Sequence, residues 1–163
     1  VVTNAHVVDK ELDTTRRERL AVFAGHGRNP DRRFASVIAR DERHDLAVLR
    51  IDGEPLPSLT LAGGQLPPEG TAIAFTGYPI GAVLGLYPVT HRGIVSALTP
   101  VIEPPVSSRE ISARDVKFLR DPYKVLQLDA IAYPGNSGSA VYRVSAITYA
   151  IPVRYVHALL PGD

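Results

Sequence analysis

The sequence predicts an all-β protein built as a barrel. Its apolar runs are short, and turns rich in glycine, proline and asparagine separate them at close intervals, the pattern of small β-barrels. At 163 residues the chain can bury a real core as one compact domain or two small lobes.

Taken in order, residues 1–3 read as a strand ending near His6. Residues 9–19 are charged with mixed sign, Arg16, Arg17 and Arg19 standing beside Asp13 and Glu18, which favours a solvated loop over a basic patch. Residues 20–24 and 33–39 read as strands flanking the turn Gly25-His26-Gly27-Arg28-Asn29-Pro30, and residues 46–51 as the next strand. Residues 53–68 contain four prolines and three glycines and read as a connection between two lobes.

Residues 71–90 contain no charge, and Gly77, Gly81 and Gly85 fall four apart, a spacing also found in packed membrane helices. Pro79 and Pro88 argue against that helix. A buried strand at 72–76, a glycine-proline loop and a second strand at 88–98 account for the same residues. Residues 99–121 have no clean period and read as a long loop with one helical turn near 114–119. Residues 123–128 and 140–143 read as strands on either side of a turn, and 147–151 as the last strand. Val153, Val156, His157 and Leu160 at helical spacing predict a short C-terminal helix.

Composition excludes several classes. A formal net charge of +1 leaves no single-sign field to attract a nucleic acid or a membrane surface. No cysteine is present, so no disulfide framework supports the fold. The sequence has no methionine, from which it is expected to begin inside something longer or to have been processed. His26, His91 and His157 have no Asp, Glu or Cys at metal-ligand spacing, so no metal site is expected. His44 is expected to face solvent, because neighbours in an extended chain point to opposite faces and Asp45 is its neighbour.

Three stretches together suggest chemistry. In Tyr133-Pro134-Gly135-Asn136-Ser137-Gly138-Ser139, a serine lies between glycines that permit tight backbone conformations. The amides of Gly135 and Ser137 could converge where an oxyanion would form. Alone, this stretch reads equally as a surface turn. Upstream, Val2-Thr3-Asn4-Ala5-His6-Val7-Val8 delivers a histidine and Asp45-Leu46-Ala47-Val48-Leu49 an aspartate. A serine hydroxyl needs a base to take its proton, and that base needs a carboxylate to fix its tautomer. The order His6, Asp45, Ser137 is that of chymotrypsin-like enzymes rather than of subtilisins or α/β-hydrolases.

On these residues the chain resembles the trypsin-like serine peptidases, closest to the HtrA/Deg group. Further motifs in the group's order agree: Gly77-Tyr78-Pro79-Ile80-Gly81, Gly93-Ile94-Val95-Ser96, Gln127-Leu128-Asp129-Ala130 and Tyr149-Ala150-Ile151-Pro152. The resemblance implies two six-stranded antiparallel β-barrels of chymotrypsin type with a short C-terminal helix. Residues 1–163 would form one peptidase domain, with His6 and Asp45 in an N-terminal barrel (1–62) and Ser137 in a C-terminal barrel (63–163) that ends in the helix. It implies a serine endopeptidase with no cofactor and no metal. His6, Asp45 and Ser137 would be catalytic, and the amides of Gly135 and Ser137 would form the oxyanion hole. Ile131 and Ala132 would belong to the substrate pocket, with Ile131 as a floor that carries no charge and favours small or medium apolar side chains.

Peptides or unfolded proteins are the implied partners, with a homo-oligomer or an appended regulatory domain. The resemblance favours a periplasmic or cell-envelope location. Two features depart from the group: one strand precedes the histidine where relatives have more, and the hairpin expected after Arg143 is missing. Asn136 also replaces the aspartate of digestive trypsins, so an ion pair to a freed N-terminus cannot order the hole. A two-state site is expected, in which the Pro134–Gly135 peptide flips under control of the loops at 77–85 and 99–121. The competing reading is a catalytically silent module that binds extended peptides by strand addition.

Overall fold

The computed structural model describes residues 1–79, 85–101 and 122–144. These form two antiparallel sheets. The first comprises β1 (Val2–Thr3), β2 (Ala21–Ala24), β3 (Asp31–Asp41) and β4 (Leu46–Ile51) in the order β1-β4-β3-β2. The second comprises β5 (Ala72–Gly77), β6 (Val89–Pro100), β7 (Lys124–Asp129) and β8 (Val141–Arg143) in the order β7-β6-β5-β8.

The all-β class therefore holds, and the chain between the sheets, from Ile51 to Ala72, contains no strand. Each sheet has four strands among the described residues, where the resemblance implied six. Neither closes on itself there, since β1 does not pair with β2 nor β7 with β8. In the first sheet this agrees with the expectation that one strand precedes His6 where relatives have more. The expected C-terminal helix, the last strand at 147–151 and the helical turn near 114–119 lie outside the described residues.

β4 is central and runs antiparallel to both neighbours, with Val2 opposite Val48 and Val37 opposite Leu49. Leu46, Ala47, Val48 and Leu49 are all buried, as a continuous apolar run with both faces covered requires. A register shift between Val37 and Ala39 leaves one extra residue in β3, a bulge that bends an eleven-residue strand. β6 has a matching shift between Val95 and Ala97. Such bulges let long strands coil as barrel staves. The second core joins Ile73 and Phe75 of β5 to Val95 of β6, with Leu126, Leu128, Ala130 and Val141 packed against them.

His44 does not face solvent as expected. It lies in the turn between β3 and β4, where its Nδ1 sits 2.6 Å from Asp41 Oδ2 and its ring meets Tyr123 edge-on at 4.8 Å. Residues 42–45 form a turn and Asp45 has a φ of 51°, so the alternation of an extended strand does not apply. The Tyr123 contact also joins the two halves. Gly27 bridges to Leu86, and the Tyr78 hydroxyl donates to the Gly25 carbonyl at 3.3 Å, adding two further ties.

Candidate active site

His6 lies in a 3₁₀ turn, Ala5–Val8, that follows β1 directly. Pairing of β1 with β4 brings this turn beside the start of β4, where Asp45 stands. The His6 backbone N–H donates to Asp45 Oδ1 at 2.9 Å, and His6 Nδ1 lies 2.7 Å from Asp45 Oδ2. The Asp45 carbonyl accepts from the Ala5 N–H and from Asn4 Nδ2, both at 3.0 Å. These four contacts hold Asp45 in the left-handed region that a non-glycine residue adopts only when its surroundings fix it. Burial alone would raise the Asp45 carboxyl. The His6 backbone and ring and the Ala5 N–H outweigh that and keep it below its ordinary value. Because the carboxylate is an acceptor, the proton between the two belongs to His6 Nδ1, which turns Nε2 away from Asp45.

Ser137 lies between β7 and β8. The Asn136 N–H donates to the Tyr133 carbonyl at 3.1 Å, and Gly135 has a φ of 100°. Proline at the second position and a positive φ at the third make this a type II turn. The alternative type I turn differs by rotation of the Pro134–Gly135 peptide. The next amides are also engaged, Gly138 N–H by Asn4 Oδ1 at 2.6 Å and Ser139 N–H by the Asn136 carbonyl at 3.0 Å. Among the described residues, the amides of Gly135 and Ser137 donate to no protein acceptor, so the two expected for an oxyanion are the two left free. Ser137 is exposed.

Two ties bring the three segments together. Asn4, two residues before His6, bonds Asp45 with its amide nitrogen and Gly138 with its amide oxygen. Gly138 has a φ of 82°, and a Cβ there would collide with the Thr3 side chain. No hydrogen bond joins Ser137 to His6 among the described residues. Such bonds commonly tighten only when substrate is bound. Sequence reasoning included Asn4 in a motif without giving it a task. Its signal was a side chain with both donor and acceptor, placed two residues before the histidine.

A cleft of about 390 Å³ opens beside Ser137, lined chiefly by Phe75, Leu128, Ala130, Ala132, Tyr133 and Val141, with Asn136 and Ser139 on its polar side. Ala132 takes part in this lining as expected, but Ile131 does not and is 67% exposed. Ile131 follows β7, in the stretch that leads to the Ser137 turn. Leu126, Leu128 and Ala130 pack on the apolar cluster, and Ile131 beyond them does not join it. The apolar part of this cleft is made by Phe75, Leu128 and Val141. Asn136 is 9% exposed, and both polar atoms of its amide lack a partner.

The profile of the trypsin-like peptidase domain family matches residues 1–146. The chain belongs to that family. Similar proteins carry the HtrA and DegP names of its HtrA/Deg group. A probable periplasmic serine endoprotease DegP-like from Halomonas elongata is 29% identical over 144 residues, 88% of this chain and 24% of that protein. The mitochondrial serine protease HTRA2 of Drosophila pseudoobscura pseudoobscura is 29% identical over 174 residues, 98% of this chain and 35% of that protein. The chain thus spans about a quarter to a third of these relatives. Among solved structures, Deg5 superposes with a TM-score of 0.65 at 23% identity, covering 96% of this chain and 74% of that one; this shows the fold.

Proposed function

We propose that the chain is the catalytic part of a serine endopeptidase that cuts peptides or unfolded proteins. The observation that carries this is the 2.7 Å contact of His6 with Asp45, with the Ser137 turn fastened beside it through Asn4. In this reading Ser137 Oγ attacks the peptide carbonyl carbon while His6 Nε2 takes its proton. Asp45 holds the ring and stabilises the imidazolium that forms. The oxyanion accepts from the amides of Gly135 and Ser137. His6 returns the proton to the departing amine, and water then releases the acyl group by the same route in reverse.

The apolar cleft would receive a small or medium apolar side chain of the substrate. The name of the DegP-like relative supports proteolysis in the periplasm, and the resemblance to the HtrA/Deg group extends this to protein quality control or regulated proteolysis as an oligomer, in the periplasm or cell envelope. Among the described residues no helix is long and apolar enough to cross a membrane. A fluorophosphonate probe tests the reading. We expect labelling at Ser137 and none in Ser137→Ala, with peptide hydrolysis by that variant lower by about 10⁵–10⁶-fold. Folded protein that the probe never labels would favour the silent peptide-binding module.

A further inference from the structure

We propose that Asn4 is a positioning residue that sets Ser137 against His6; this deepens the triad reading above and rests on it. Three chain segments, far apart in sequence, must meet within tenths of an ångström for proton transfer to occur. His6 and Asp45 belong to the first sheet and Ser137 to the second, so their register depends on a joint between sheets. The ties through Gly27 and Tyr78 join loops, and the His44–Tyr123 ring contact adjoins Asp45 without reaching Ser137; none of them touches His6, Asp45 or Ser137 itself.

Asn4 touches Asp45 itself and the residue next to Ser137. Its Nδ2 donates to the Asp45 carbonyl at 3.0 Å and its Oδ1 accepts from the Gly138 N–H, one residue after Ser137, at 2.6 Å. Both bonds reach backbone rather than side chains, so the amide sets where the acid and nucleophile segments run. Asn4 itself is carried on the backbone that leads into His6. Only a planar group with a donor and an acceptor one carbon beyond Cβ fits this role. The bare face of Gly138 completes the joint, because it lets Thr3 and the Ser137 turn approach closely.

The experiment uses the full-length protein and compares the wild type with Asn4→Ala and Asn4→Asp. Asn4→Ala removes both bonds. Asn4→Asp keeps an acceptor for Gly138 and loses the donor to Asp45. Three quantities are read: hydrogen exchange at the Gly138 amide, the low-field proton between His6 and Asp45, and the rate of fluorophosphonate labelling per folded molecule. A positioning role predicts that Asn4→Ala speeds Gly138 exchange and slows labelling about 100-fold, with kcat for peptides falling and KM nearly constant. In Asn4→Asp the Gly138 amide stays protected, while the His6 proton signal moves.

A residue that serves only stability would lower the melting temperature and leave labelling of the folded fraction at the wild-type rate; that result overturns the proposal. Unchanged Gly138 exchange in Asn4→Ala overturns it as well. If the wild type is never labelled, the peptidase reading falls. The exchange and proton signals then still decide whether Asn4 joins the segments.

Discussion

At the scale of single residues, the candidate site depends on a few groups with narrow tasks. Asp45→Asn presents an amide where His6 needs an acceptor, so the ring takes the wrong tautomer. Hydrolysis should fall on the order of 10³–10⁴-fold, read as kcat/KM on a peptide. The same carboxylate contributes to stability. Asp45 is held below its ordinary value of 3.8, and so is Asp41: its burial opposes this, and bonds from the His44 ring and backbone outweigh it. A carboxyl depressed in the folded state stabilises above its unfolded pKa and loses that contribution as pH falls through the folded value. Stability should therefore hold level above about pH 5 and decline below about pH 4, with a shallower decline in Asp41→Asn. Urea melts from pH 3 to 7 measure this. Gly135→Ala tests the turn. A φ of 100° is unfavourable for alanine, and relaxing to type I would swing the 135 amide away from the oxyanion. Loss of that donor should cost about 10²–10³-fold in kcat.

At the scale of elements, strands are what bring the functional groups together. β1 has two residues, yet its pairing with β4 sets His6 opposite Asp45 before any side chain acts. β7 and β8 grip the Ser137 turn from either end, and both pack on the cluster around Ile73. Ile73 is fully buried at the centre of that cluster. Ile73→Ala should destabilise the fold by about 2–5 kcal/mol, as a lower denaturant midpoint at unchanged slope. Most strand positions were legible from apolar runs and turn residues. β3 and β6 each run to two residues beyond the expected end, and each carries a bulge that the apolar pattern does not reveal. His44 was misjudged for a related reason: the rule applied to it holds in strands, and it lies in a turn.

At the scale of the whole molecule, the cleft beside Ser137 draws its wall from β5, β7, β8 and the nucleophile turn together. Phe75, Leu128 and Val141 make it apolar, and burying an unpaired cation there is expensive. A chromogenic peptide panel should show faster cleavage after Ala, Val or Leu than after Arg or Lys; the reverse order would remove this cleft as the specificity pocket. The sequence by itself determined the all-β class and named the candidate triad, because short apolar runs and residue types in order are local information. Only the tertiary structure decided that Phe75 and Val141 line the cleft beside Ser137, that His44 is engaged, and that Asn4 links Asp45 to the Ser137 turn. Those facts depend on which residues from distant segments meet, and pairings such as Val2 with Val48 and Ile73 with Arg143 set that.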